Sequence, residues 1–441
     1  MRVRLPSRVR LRAHRDDRAI VALALPALGA LAADPLYSVI DTAFVGHLGT
    51  PQLGAVAVGT TVFNASFWIF SFLAYGLTPR VARAFGAGDI SRASRLGVQA
   101  LLLAAVLGAV VTAGGLAGAP ALVRAFGAEG RVASLAESYL TIRVLAAAPV
   151  LVALVGHGWL RGVQDTRTAM LITVAGAAAN TALDYLFIFG LGWDLAGAAW
   201  SNVAGQLGVA LAFMAVLRSR WRGVTWRPDP AAIRSLLGVG IDIVVRTGAL
   251  LAAITVATSV AARMGVVALA SWQIAMQVFL LLALALDSVA IAAQALVGRF
   301  LGAGDLEGAE SVARRLMTWG WWVGGSLLVP VLILRGSLAG AFSNDPQVVS
   351  VTAGLLAWVA LAQPLSGAAF TLDGILLGAS DTRWLAGAML SCSALYIALA
   401  LVALNAEWGV AGLVAGATLW LVARAGTTGV RFAGGAWKLR P

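Results

Sequence analysis

Twelve apolar runs, each about as long as a lipid-crossing helix, divide this chain almost from end to end. They cover residues 19–45, 53–79, 93–118, 132–157, 168–190, 195–218, 235–262, 267–297, 310–334, 348–371, 383–404 and 408–431. Inside a bilayer no water is available to backbone amides and carbonyls. An apolar run of about 20 residues must therefore close its own hydrogen bonds as a helix. Hydrophobic residues make up 60% of the chain and charged ones 12%, with a mean hydropathy of +0.87, which is outside the range of soluble globular proteins. The fold class expected is an all-α polytopic membrane protein with twelve transmembrane helices.

The net charge of +12 would suit a nucleic-acid partner, but its distribution fits membrane topology. The side that holds the N-terminus carries 26 Lys and Arg residues, Arg424 and Arg431 among them. The other side carries four, Arg124, Arg131, Arg263 and Arg335, while Arg143 and Arg246 fall inside spans. Basic residues stay on the cytoplasmic side. The reading is a cytoplasmic (inner) membrane protein with both termini in the cytoplasm, the lipid bilayer as partner and no nucleic acid. Residues 1–18 read as a disordered basic arm, 19–218 as an N-terminal lobe and 219–234 as a cytoplasmic linker with Pro228 and Pro230. Residues 235–431 read as a C-terminal lobe and 432–441 as a cytoplasmic tail. The basic N-terminus is followed by an apolar run too long for a cleavable signal peptide. The one cysteine, Cys392, excludes an internal disulfide, and His14, His47 and His157 show no ligand spacing. No cofactor and no catalytic constellation is expected.

The chain also repeats itself. Arg83–Asp89 recurs as Arg299–Asp305, Leu160–Arg167 recurs as Leu376–Arg383, and Phe126 matches Phe342, all at an offset of 216 residues. A constant offset means two halves of six helices. Six is even, so the halves enter the membrane from the same side as a parallel repeat. The Gly-Ala-Gly-Asp loops read as helix stops followed by Asp caps.

The first span carries what an inert anchor would not tolerate. Asp34 and Asp41 lie seven residues apart, so they fall about 20° from each other on one helix face, with Tyr37 and Ser38 close by. A carboxylate at the bilayer centre costs about 2.5–3.5 kcal/mol even on insertion scales. That stripe is expected to face water, a cation or a proton path. Pro26 and Pro35 lie in the same span, and Pro26 invites a bend by leaving a carbonyl one turn back without its amide.

Asp34-Pro35-Leu36, the run Asp41–Gly49 and the twin Gly-Ala-Gly-Asp loops resemble the multidrug and toxic compound extrusion (MATE) family. Trp272–Gln277, Leu286–Gln294 and Leu372–Gly378 are similar to its DinF-like branch. The resemblance implies a two-lobed secondary antiporter, monomeric, that takes up H⁺ or Na⁺ and exports small organic, often cationic, amphiphiles by alternating access. It implies a coupling site at Asp41, Asn180 and Asp184. Relatives often have Thr on the sixth helix where this chain has Ser201-Asn202. Spacing agrees: Asn180 and Asp184, and likewise Asn202 and Gln206, are one turn apart. Asp41, Asn180, Asp184 and Asn202 offer oxygen ligands for Na⁺, or a carboxylate pair sharing a proton; packing against Arg143 is the structural alternative. Asp34, Tyr37, Gln206, Gln277, Asp287 and Asp373 are the candidate substrate and cavity residues. In the second half Asp242 and Arg246, one turn apart, read as a charge pair, with Asp287 and Asp373 either neutralised there or forming a second site. A lipid-linked saccharide flippase of the same superfold is the alternative. It would want several basic residues in the cavity, where only Arg143 and Arg246 are found.

Overall fold

The computed structural model describes residues 7–221 and 223–439. Arg2, Arg4, Arg222 and Arg440 lie outside the described residues, as do the side chains of Arg8, Arg10, Arg12 and Arg15. Eleven helices among the described residues are long and apolar enough to cross a membrane, and a helix pair bent by 45° makes a twelfth span. We number them in chain order: α1 Ser7–Gly46, α2 Thr50–Ala65 with Trp68–Gly86, α3 Ile90–Ala125, α4 Gly130–Gly162, α5 Thr166–Gly190 and α6 Asp194–Arg220. The second half holds α7 Pro230–Arg263, α8 Val266–Gly302, α9 Leu306–Phe342, α10 Pro346–Gly378, α11 Thr382–Asn405 and α12 Gly409–Ala433.

The repeat is visible in where helices start. Thr50 and Val266, Ile90 and Leu306, Gly130 and Pro346, and Thr166 and Thr382 each open a helix in corresponding places, 216 residues apart. The turns match as well. Gly88 and Gly304 take φ of 77° and 73°, a left-handed turn that only glycine enters without strain. Asp89 and Asp305 then accept from the amides of Arg92 and Gly308, both at 2.7 Å, capping α3 and α9.

The chain forms two compact units. One is Leu25–Gly240; the other is Ile241–Pro441 together with Met1–Ala24. Two expectations are corrected here. Helix α1 begins at Ser7, so residues 7–18 are helical and not a disordered arm. Asp17 explains part of this: both its oxygens accept from Arg315, at 2.6 and 2.7 Å, and one also from Trp319 Nε1 at 2.8 Å. The linker is likewise pinned within the Leu25–Gly240 unit. Gln99 Nε2 donates to Arg227 O and its Oε1 accepts from Asp229 N, both at 2.8 Å. The tail is also held, since Trp437 is fully buried and Lys438 pairs with Glu310.

Small residues set the helix spacing, as they must where lipid removes any hydrophobic drive between helices. In the second unit, a Cβ on Gly367 of α10 would lie 2.1 Å from Gly320 O of α9, so the two backbones touch. That approach buries Ser366–Gly378 of α10 almost completely and places Asp373 in the interior of its unit. In the first unit the core runs through Val45, Val62, Phe63, Tyr139, Leu140 and Ile188, under the polar face described next.

Candidate functional site: a polar cavity in the first unit

Helix α1 presents Asp34, Tyr37, Ser38 and Asp41 to a cavity of about 580 Å³. Helix α2 adds Thr60, Thr61 and Asn64, α4 adds Arg143, and α6 adds Asn202 and Gln206. The volume suits a drug-sized ligand. Asp34 is exposed in the cavity, while Tyr37, Asp41, Arg143 and Gln206 are half-buried. Pro35 lines the cavity as well, whereas Pro26 does not and sits in the unbroken helix α1.

Behind this wall lies a second, buried layer. Asp184 is 0% and Asn180 4% exposed. Ser201 of α6 donates its hydroxyl to Asp184 Oδ1. Immediately after Asp184, α5 loosens into a π-helical turn, Leu186–Gly190, an irregularity that recurs at functional sites. The backbone of α6 comes close to Asn180 because residue 205 is glycine; a Cβ there would lie 2.7 Å from Asn180 Cγ. Tyr37 joins the layers, within electrostatic reach of Asp41, Asp184 and Arg143. Asp41 Oδ1, Asn180 Oδ1, Asp184 Oδ2 and the Tyr37 hydroxyl are all buried without a hydrogen-bond partner. Buried polar atoms are almost always partnered, so three bare oxygens around one locus mark a place for a proton, a cation or water. They fit the donor chemistry of a hard monovalent ion.

The structure therefore brings Asp34, Tyr37, Asp41, Asn180, Asp184, Asn202 and Gln206 together in one unit. It does not bring the second-half candidates into a comparable arrangement. Gln277 is exposed on α8, and Asp287 is half-buried on the same helix. Asp373 is 2% exposed, and its Oδ2 accepts from Arg246 at 2.6 Å and from Arg424. The expected Asp242–Arg246 pair is corrected: Arg246 turns to Asp373, and Asp242 accepts from Thr382 Oγ1 at 2.7 Å. Two fixed guanidinium groups close the Asp373 site to a substrate, so Asp373 is an ion-pair residue and not a cavity residue. Arg424 was counted as a cytoplasmic charge, yet it is buried in α12. Its signal is a single basic residue inside the apolar run, the mark that singled out Arg143 and Arg246. Arg143 forms no ion pair among the described residues; its guanidinium lies over the rings of Phe63 at 4.8 Å and Tyr139 at 5.9 Å.

Near the ends of the spans the repeat carries a second pair of charges. Asp165, the cap of α5, accepts from Thr168 N at 3.0 Å and pairs with Arg220 at 2.5 Å. Asp381, the cap of α11, pairs with Arg431 at 2.6 Å. Burial works against the Asp165 carboxylate, but the Thr168 amide and hydroxyl together with Arg220 hold it below its ordinary range.

Comparison with known proteins agrees with this architecture. The chain is 31% identical over 95% of its length to Protein DETOXIFICATION 44, chloroplastic, of Arabidopsis thaliana, covering 81% of that protein. It is 30% identical to DNA damage-inducible protein F of Escherichia coli, over 83% of this chain and 81% of the relative. A Probable multidrug resistance protein NorM of Rhizobium meliloti matches at 31%, with the same coverage. A crystal structure of MATE in the bent conformation superposes with a TM-score of 0.87 at 22% identity, over 98% of this chain and 97% of that one. The fold is thus the two-lobed, all-α architecture of those transporters. With residues 26–186 and 250–402 matched by the MatE family model, the chain belongs to the multidrug and toxic compound extrusion family, whose members are transporters and not enzymes.

Proposed function

We propose that the protein is a DinF-like secondary antiporter of the cytoplasmic membrane, with both termini in the cytoplasm, working as a monomer. It exports organic, often cationic, amphiphiles in exchange for H⁺ or Na⁺ by alternating access. The observation that carries this reading is the set of bare buried oxygens on Asp41, Asn180 and Asp184 behind a cavity walled by Asp34 and Asn202. The layout supplies both functions in one place. A substrate occupies the open layer, the coupling ion occupies the buried one, and Tyr37 and Asn202 stand where the two would sense each other. Loading the buried layer neutralises charge that would otherwise hold a cationic substrate. Exchange follows when only the singly loaded forms change conformation.

The supporting resemblances are to relatives named for multidrug resistance and for DNA damage induction. The test is efflux from proteoliposomes under an imposed pH gradient or an imposed Na⁺ gradient, each alone, for wild type, Asp41→Asn and Asp184→Asn. Transport driven by one gradient, and lost in both variants at normal insertion, is the expected result. Gradient-driven transport at the wild-type rate in Asp41→Asn would remove Asp41 from the coupling site.

A further inference from the structure

The cavity wall has two polarities. Asp34 and Asp41 stand on its α1 side and Arg143 on its α4 side. Between them α2 contributes Phe63 and Phe67, whose rings stack with centroids 4.1 Å apart. From this arrangement we infer that Arg143 is an anion-recognising residue, and that the compound carried is an aromatic zwitterion bearing both an amine and a carboxylate. The inference rests on the transport reading above and narrows its substrate class.

A guanidinium at membrane depth is expensive unless paired. Arg143 lies within electrostatic reach of Asp41 and Asp184. Were it present only to balance those carboxylates, closing to an ion pair would be the favourable arrangement, as Arg246 and Arg424 do on Asp373. Arg143 is instead held over the faces of Phe63 and Tyr139. Its Nε and the Asp41 Oδ1 are both buried and both lack a partner. Cation–π contact offsets only part of the cost. The guanidinium is thus kept in place and left with donors for a planar anion, which it recognises through two parallel hydrogen bonds.

The rest of the wall excludes the simpler alternatives. A ligand with only positive charge meets Arg143 at one end. A ligand with only negative charge meets Asp34 and Asp41 at the other. A zwitterion places its amine toward the acids of α1 and its carboxylate toward Arg143, with its ring along Phe63 and Phe67.

The experiment separates binding from transport. Three probes are used: an aromatic amine–carboxylate, its methyl ester and its N-acetyl derivative. Equilibrium binding to the purified full-length protein is measured by calorimetry for wild type, Arg143→Gln and Arg143→Lys. Uptake under imposed gradients is measured separately in proteoliposomes. Wild type should bind the zwitterion about 10-fold or more tighter than either derivative. Losing a charged hydrogen-bond partner should weaken the zwitterion about 10- to 100-fold in Arg143→Gln, with the ester unchanged or tighter. Arg143→Lys keeps the charge, guards against a folding defect, and should fall between the two. Equal wild-type affinity for zwitterion and ester, equal loss of all probes in Arg143→Gln, or no binding of any probe overturns the inference. If the binding order holds but no gradient drives uptake, the inference stands and the antiport reading fails.

Discussion

Asp373→Asn is the perturbation that most sharply separates the two units. In the wild type one buried carboxylate oxygen, Asp373 Oδ2, accepts from Arg246 at 2.6 Å and from Arg424, whose side chain is 7% exposed. The substitution keeps the shape and removes the charge, leaving two guanidinium groups inside the unit without their counterion. Breaking a buried ion pair by removing one partner costs about 3–5 kcal/mol, because the partner's desolvation is no longer repaid. A unit of this size shifts its midpoint by about 2–4 °C per kcal/mol, so the expected loss is on the order of 10 °C. The protein carries its own reporter. Its single cysteine, Cys392 on α11, is buried in the same unit, so a thiol-reactive dye lights up when that unit opens. The control removes all three charges together, as Asp373→Leu with Arg246→Met and Arg424→Met. Swapping a whole buried triad for apolar side chains is often neutral, so this variant should recover most of the loss. Refolded Asp373→Asn should also keep its dependence on the driving gradient. A midpoint within about 2 °C of wild type, or loss of coupling without loss of stability, would refute the structural assignment of Asp373.

Three further outcomes are expected. Gly205→Ala would place a Cβ 2.7 Å from Asn180 Cγ; the Asn180 side chain must swing away, and gradient-driven transport should fall several-fold more than substrate binding, which direct binding and flux assays compare. Pro26→Ala gives α1 an amide hydrogen where it now has none and should slow turnover with affinity largely kept; unchanged turnover would make the proline a packing feature. Asp165→Ala removes a helix cap and an ion pair, at a cost of about 1 kcal/mol from the cap. Because the folded carboxyl sits below its ordinary range, its stabilisation is present above the unfolded value of about 4 and is lost as the pH falls through the lower folded one. The gap between the two thermal midpoints should therefore be open at pH 6 and narrow below about pH 4; a constant gap would tie the effect to shape alone.

The sequence carried the fold because the bilayer leaves so few choices. Apolar length dictates helices, and the 216-residue offset that links Gly88 to Gly304 returns as matching φ angles and matching Asp caps. The first-unit site was legible for a similar reason. Acids and amides one turn apart on apolar helices must face one another or water, so Asp41, Asn180, Asp184 and Asn202 could be grouped by periodicity and resemblance together. The errors cluster where charge partners come from distant helices. Arg246 lies one turn from Asp242 in sequence, yet it reaches Asp373 on α10 because the glycines at 320, 324 and 367 draw α9 and α10 together and bury that stretch of α10. Nothing in the local pattern of α7 encodes that choice. Arg424 was misplaced by the same logic, since a basic residue near the end of an apolar run scores equally as a cytoplasmic charge and as a buried counterion. Helical start at Ser7 was missed because a run of arginines reads as a solvated arm, and its anchor, Asp17 to Arg315, spans 298 residues. One physical difference then separates the halves of the repeat. The second unit settles its buried acid internally with two guanidinium groups, while the first leaves oxygens of Asp41, Asn180 and Asp184 bare beside an unpaired Arg143. An internally neutralised site gains nothing from a mobile ion, and an unsatisfied one does; that asymmetry is the reason to assign exchange to the first unit and support to the second.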